Sequence, residues 1–230
     1  AHDINVLGVA AYRRFQPPQG SHGGSRHGST PEAHDSLIAT LFHDPQAFGT
    51  DYPIATLAVR HMPDRLRGQW HWRGANWVEM TFLAVQGLRR YGQYDQAARV
   101  AEANCRMVFD TLEKTGHFRE FYNSLTGQPS DLTDYIWTSM PAAFIVEVFF
   151  GIRPTAEGIE ILPALPAGWN DIRMDRLHVR NAIVSLHVRR DPAVSATTVR
   201  INGQPADVLA GRGVHVPWAR LTGPCEIETV

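Results

Sequence analysis

A-N-W-V-E-M-T-F-L-A-V-Q-G-L-R-R-Y-G-Q-Y-D-Q-A-A-R-V-A-E-A-N-C-R-M-V-F-D-T-L-E, residues Ala75–Glu113, decides the fold. It holds two periodic runs joined by Gly92 and Gln93. In the first, Trp77–Tyr91, apolar residues fall on several faces, as in a helix buried on most sides. Asn76 stands where an N-cap belongs and Gly92 where a helix stops. In the second run, Tyr94, Ala97, Ala98, Ala101, Cys105, Val108, Phe109 and Leu112 recur at i, i+3, i+4 spacing. Asp95, Arg99, Glu102 and Arg106 occupy the other face, so this helix is one-sided. A buried helix joined by a tight turn to a one-sided one predicts a double-layered helical array, the first helix inner and the second outer.

Working outward, Trp137–Phe150 is nearly all apolar and is expected to be another inner helix. Pro31–Leu41 is expected to be a helix ended by Asp44–Pro45, and Pro53–Val59 a further apolar turn stopped at Met62–Pro63. After Gly151 the period changes from 3.6 to 2. Gly158–Leu162, Ile172–Arg180, Ala182–Arg190, Thr197–Asn202, Asp207–Leu209, Gly213–Val216 and Glu226–Val230 are short and β-branched. Val179–Ile183, around Asn181, and Ile201–Gly203 read as hairpin turns. The fold class expected is mainly α with a β C-terminal part: helical hairpins, then a small antiparallel β-sandwich. The boundaries are 1–34 for an N-terminal segment and linker, 35–150 for the helical domain and 151–230 for the sandwich.

Ile4–Ala11 is too short to assign, and Gln16–Pro31 is a Gly, Ser, Pro and His-rich linker. Its His22 and His27 lack the carboxylate or cysteine companions of a metal site. The 230 residues are 43% hydrophobic and 20% charged, with a net charge of -1. That balance fits a soluble globular protein and gives no footprint for nucleic acid. No apolar run approaches a membrane span, and the N-terminus lacks the pattern of a signal peptide. The chain begins with Ala1, as a processed protein or a fragment would. Cys105 and Cys225 lie far apart in unlike contexts and imply no disulfide framework.

Three stretches could carry chemistry. R-G-Q-W-H-W-R-G-A-N-W (Arg67–Trp77) mixes large aromatics with arginine, histidine and asparagine. A pocket for a polar ring-shaped ligand needs that mixture: aromatic faces for C–H surface and fixed donors for hydroxyls. A Trp-rich helix entrance that merely packs is the bland alternative. In G-H-F-R-E-F-Y-N-S-L-T-G-Q (Gly116–Gln128), Glu120 lies among Phe118, Phe121 and Tyr122. Desolvation there would suit it to proton transfer, unless it pairs with Arg119 or a backbone N–H and only shapes the loop. Asp131, Asp134, Tyr135 and Trp137 form the third cluster, in which Asp131 or Thr133 could simply cap the next helix. Asp51 and Asp64 are the other acidic loop residues before the aromatic stretch, and nothing singles out either. Nucleophilic serine, phosphate-cradling and dinucleotide motifs are absent. Acid/base chemistry on a neutral hydroxylated substrate remains.

H-W-R-G-A-N-W (His71–Trp77), then E-F-Y-N-S-L-T-G (Glu120–Gly127) about forty residues on, then I-W-T-S (Ile136–Ser139), resemble an α/α-toroid glycoside hydrolase clan. That clan contains processing α-glucosidase I, mannosylglycerate hydrolases and trehalases, with Y-W-R-G-P-x-W, E-x-Y-D/N-P-x-T-G and W-T/S at the corresponding places. Phe48–Thr56 and Phe150–Pro166 resemble the segment before the first motif and the toroid-to-sandwich junction. His71, Ala75 and Ser124 depart from the clan's Tyr, Pro and Pro.

The resemblance implies that Glu120 is the catalytic general base of an inverting enzyme. It implies that Trp72, Arg73, Gly74, Trp77, Tyr122 and Trp137 surround the sugar, and that no metal or other cofactor is required. Inverting glycosidases need two carboxyl groups about 6.5–9.5 Å apart. The clan's general acid is an aspartate in an upstream G-x-D-x-S-P-R-type segment that this chain lacks. Six hairpins also need about 12–14 residues per helix, so roughly 150 residues hold half a toroid. The expectation is the C-terminal portion of an inverting α-glycoside hydrolase, inactive alone, with a carbohydrate substrate. The missing N-terminal part of the same enzyme would be its partner. A non-catalytic carbohydrate-binding module and a disaccharide phosphorylase of the same architecture are the alternatives.

Overall fold

The computed structural model describes residues 41–62, 64, 71–190, 198–208 and 213–229. The expectations for Ile4–Ala11, the Gly/Ser/His linker, the helix before Leu41 and Arg67–Trp70 lie outside the described residues. The chain forms two units, one ending at Pro141 and the other beginning at Ala142.

In the first unit, α1 (Val78–Arg90) and α2 (Tyr94–Thr115) pack against each other as the periodicity predicts. Gly92, at φ 76°, allows the tight reversal between them. Gly116, at φ 72°, ends α2 and donates to the Leu112 carbonyl at 2.7 Å. α2 buries Ala97, Ala98, Ala101, Cys105 and Val108, while Phe109 stays exposed. α1 buries Val78, Ala84, Val85 and Leu88 but exposes Leu83.

Two local expectations fail. Asn76 is not the N-cap of α1: Trp77 holds that position without a side-chain cap. Its carboxamide instead donates to the carbonyls of Tyr52 (3.1 Å) and Pro53 (2.7 Å), which stitches the preceding loop to the helix start. Trp137–Phe150 is not one inner helix. Ile136–Ser139 is a 3-10 turn, Pro141–Ala143 a single helical turn and Phe144–Phe149 a π-helix. Pro141 offers no N–H to the preceding turn, and the Met140 N–H closes a three-residue ring on the Trp137 carbonyl. Ile136 and Trp137 face outward, and Tyr135 precedes the turn with no side-chain cap, so neither Asp131 nor Thr133 has that role.

The second unit contains two sheets. β1 (Ile152–Pro154), β2 (Gly158–Ile161) and β7 (Val214–Pro217) form one, in the order β1-β2-β7. β3 (Asp171–Val179), β4 (Ala182–Arg189), β5 (Val199–Ile201), β6 (Gln204–Ala206) and β8 (Gly223–Thr229) form the other, in the order β3-β4-β8-β5-β6. Most pairs are antiparallel, but β8 returns parallel to β4, so the larger sheet is mixed rather than antiparallel. Both expected hairpin turns are present. Val179 pairs with Ala182, and Ile201 with Gln204 across Asn202 and Gly203, both at positive φ. A strand not foreseen, β6, ends just before Asp207, and β1 was not foreseen either. Asp207 and Val208 of the expected Asp207–Leu209 strand are not in a strand, and Leu209 lies outside the described residues. Along β4, Ala182, Val184, Leu186 and Val188 point inward. They join Ile159, Ile161, Val216, Ile201 and Ile227 in one core.

Candidate functional site

The Arg-Gly-Ala-Asn-Trp motif is rigid because its backbone is held from three directions. Gly74, at φ 131°, donates its N–H to the Thr56 hydroxyl at 3.0 Å and accepts from the Ser124 hydroxyl at 2.6 Å. The Ala75 carbonyl accepts from the Thr56 N–H at 3.0 Å. Asn76 and Tyr122 exchange backbone hydrogen bonds of 2.8 and 2.9 Å. The Asn104 side chain, from the middle of α2, also reaches the Pro53 carbonyl that Asn76 holds.

The Glu-Phe-Tyr-Asn-Ser-Leu-Thr-Gly motif forms one arm and the turn of a hairpin. Phe118 pairs with Asp134, Glu120 with Leu132, Phe121 with Ser130 and Asn123 with Gln128 through backbone hydrogen bonds. The Asn123 carboxamide oxygen accepts the N–H groups of Leu125 (2.8 Å) and Thr126 (3.1 Å), a local turn that asparagine forms readily. Gly127 closes it at φ 71°, and a Cβ there would lie 2.4 Å from the Tyr52 ring. Gly127→Ala is therefore expected to cost about 2–3 kcal/mol from strain and overpacking together, measured as a lower midpoint in urea. Outside the turn, His117 Nδ1 and Asp134 Oδ1 meet at 3.1 Å across the hairpin base, and that hydrogen bond holds the Asp134 carboxyl below its usual range.

On this frame the aromatics stack. The indoles of Trp72 and Trp77 lie 3.9 Å apart and nearly parallel, and Phe121 also stacks on Trp77 at 5.4 Å. His71 meets Trp72, Trp77 and Phe121 edge-on, and its carbonyl accepts the Trp77 indole N–H at 3.0 Å. Trp77 is thus enclosed, whereas Trp72 is 51% exposed and offers an indole face to solvent. Arg73 is exposed beside it. Trp137 is partly exposed and packs on Tyr135 at 4.8 Å.

Glu120 is buried, and its Oε2 meets no hydrogen-bond donor. Arg119 does not pair with it: that guanidinium reaches the carbonyls of Ser130 and Asp131 instead. Alternation along the hairpin arm puts Glu120 on the same side as Tyr122, opposite Phe121. Tyr122 is wholly enclosed. Burial pushes its phenol up to about 12, with Thr111 and Arg119 pulling the other way.

Glu79, in the first turn of α1, was not singled out from sequence. Its Oε2 is also buried without a partner. Burial first, and then the charge of Glu120, hold its carboxyl above the usual range. A lone acidic residue in a mostly apolar helical run was the one available signal. A cleft of about 440 Å³ opens beside the hairpin, lined by Phe121, Asn123, Gln128, Ser130 and Leu132 among others. Among the described residues no three His, Cys, Asp or Glu side chains gather as a metal site would require. Cys105 and Cys225 are free and buried, and burial pushes the Cys105 thiol up to about 12. No described helix is long and apolar enough to cross a membrane.

Residues 25–138 match the family described as the mannosylglycerate hydrolase MGH1-like glycoside hydrolase domain. A mannosylglycerate hydrolase of Rubrobacter radiotolerans is 33% identical over 78 residues, which is 34% of this chain and 16% of that protein. A mannosylglycerate hydrolase of Thermus thermophilus is 36% identical over 75 residues, 32% of this chain and 17% of that one. The chain therefore spans about one sixth of the length of these relatives. The structure of a GH63 mannosylglycerate hydrolase from another strain of Thermus thermophilus, in complex with glucose, superposes with a TM-score of 0.41 at 24% identity. That overlap covers 51% of this chain and 28% of that one.

Proposed function

Residues 25–138 are a region of the mannosylglycerate hydrolase-like glycoside hydrolase family, and from that premise we propose that the chain is the C-terminal portion of an inverting α-glycoside hydrolase. Residues 35–150 would contribute the last hairpins of an α/α toroid and residues 151–230 a β-sandwich. Glu120 is the general base that deprotonates the attacking water. The exposed face of Trp72 packs against the C–H surface of the sugar, Arg73 donates to its hydroxyls and Trp137 supplies a second face. Trp77, Tyr122 and Gly74 act from behind, holding that wall in place. The general acid comes from an aspartate that this chain does not carry, so the chain alone binds sugar without hydrolysing it.

The observation that supports this most directly is the buried Glu120, with one carboxyl oxygen left unpaired, on the hairpin arm whose neighbouring residue Phe121 joins the Trp72–Trp77 stack. A buried carboxyl oxygen without a donor is costly for a merely structural loop. It is the state expected of a group waiting for a substrate proton.

The test has two arms. Calorimetric titration with glucose is expected to detect binding that Trp72→Ala weakens at least about tenfold, or 1.4 kcal/mol. Assays with mannosylglycerate and α-glucosides are expected to show no turnover by the chain or by Glu120→Gln. Robust Glu120-dependent hydrolysis would overturn the missing-acid part of the proposal. Sugar binding that survives Trp72→Ala would remove the indole face from the site.

A further inference from the structure

We propose that Glu79 is a positioning residue for Glu120: the two carboxyl groups share one proton, carried by Glu79, and together orient the water or hydroxyl that enters between them. The placement is fixed by the fold. Glu79 lies in the first turn of α1, three residues after Asn76, and Glu120 lies two residues before Tyr122. Asn76 and Tyr122 are locked by their reciprocal backbone hydrogen bonds, so the helix start and the hairpin arm hold a constant register. Next to Glu120, the Arg119 carbonyl accepts the Thr138 hydroxyl at 2.5 Å, which anchors the arm to the 3-10 turn that packs on α1.

Each carboxyl group buries one oxygen with no donor. Two such oxygens, in groups near enough to interact yet not hydrogen-bonded to each other, leave a site suited to a small hydroxylic donor and acceptor. Two ionised carboxylates close enough to act on each other would repel, and the pair relieves that by keeping one proton. Glu79 holds it, consistent with the burial and the Glu120 charge that act on it.

Among the described residues, several charged and titratable groups on the surrounding elements are engaged elsewhere. The 3-10 turn Ile136–Ser139 carries none. On the hairpin arm Arg119 turns to backbone carbonyls, and Tyr122 is held neutral by burial. On α2, Arg106 is engaged by Glu102 and Asp110, and Arg99 is acted on by Asp51. Of the ionisable groups, Glu120 is the one whose charge raises Glu79.

The consequence for catalysis rests on the reading of Glu120 as the base; the pairing does not. The whole chain labelled with [δ-13C]glutamate, with Glu79 assigned by its loss in Glu79→Gln, allows the carboxyl to be titrated directly by NMR. Glu79 is expected to titrate above the ordinary glutamate value of about 4.3. Its midpoint should fall in Glu120→Gln and stay raised in Glu120→Asp, which keeps the charge. An unchanged midpoint in Glu120→Gln would overturn the pair.

Glucose affinity measured across the same pH range gives the functional readout. It should weaken as pH rises through the Glu79 midpoint in the wild type and stay flat in Glu79→Gln, which retains a donor. Identical pH profiles for the two proteins would overturn the positioning role. A coupled titration with no glucose binding would uphold the pair and overturn the sugar reading instead.

Discussion

Trp77→Ala is expected to cost about 3–5 kcal/mol, the range for truncating a large aromatic in a packed interior. The cost has three sources. The indole is 2% exposed and stacks with both Trp72 and Phe121, so its removal leaves a cavity beside those two rings. The His71 carbonyl loses the indole N–H that it accepts at 3.0 Å. His71, at φ 37°, also loses one of the three rings it meets edge-on, so a backbone conformation unusual for a non-glycine residue loses support. The measurement is urea denaturation, with the slope checked for constancy so that the change reflects stability. Trp72→Ala is the matched control. With half its surface already exposed, it is expected to lose about 1 kcal/mol or less. Equal losses in the two variants would contradict the assignment of Trp77 as support and Trp72 as contact face.

The same distinction shows where the chain is legible and where it is not. A 3.6 period with charges on one face made α2 readable, and strict alternation made β4 readable, because both patterns are imposed by local geometry. Asn202–Gly203 was readable because a two-residue turn at positive φ admits few residue types. Asn76 was misread because an asparagine before a helix can cap it or reach across to another loop. The carbonyls of Tyr52 and Pro53, more than twenty residues upstream, decide between the two. Trp137–Phe150 was misread because counting apolar residues gives no weight to the missing N–H of Pro141.

The candidate site divides along the same line. The residue types in Arg67–Trp77 pointed to a polar-aromatic wall, and the structure stacks Trp72, Trp77 and Phe121. Which rings are enclosed and which are open depends on tertiary packing that no spacing encodes. Glu79 was passed over for the same reason, since the Glu120 charge that acts on it belongs to a loop beyond the whole of α2.

Gly151→Ala should be the most damaging single-methyl change in the second unit. Gly151 links the π-helix to β1 at φ 70°, where an L side chain is strained. A Cβ there would lie 2.0 Å from the Leu162 carbonyl carbon and oxygen and 2.5 Å from the Pro163 nitrogen. Those are backbone atoms, so no rotamer change relieves the contact. The Gly151 carbonyl also accepts the Leu162 N–H at 3.0 Å, and any shift that makes room lengthens that bond. The disturbance would pass into the β1–β2 pairing, where Ile152 opposes Ile161, and from there into the core those residues share. Positive φ costs alanine about 1–2 kcal/mol, and forced repacking adds about 1–3 kcal/mol. The expected loss of about 3 kcal/mol or more is a large share of the roughly 5–15 kcal/mol that holds a domain together. Hydrogen exchange at the Ile159, Ile161 and Val216 amides, followed across a urea series, reports on this unit specifically. Gly203→Ala provides the comparison, because its φ is also positive but a Cβ there meets nothing within 4 Å. It should therefore show the strain alone. A Gly151→Ala loss no larger than that of Gly203→Ala would show that the Leu162–Pro163 backbone yields, and would sink the clash argument.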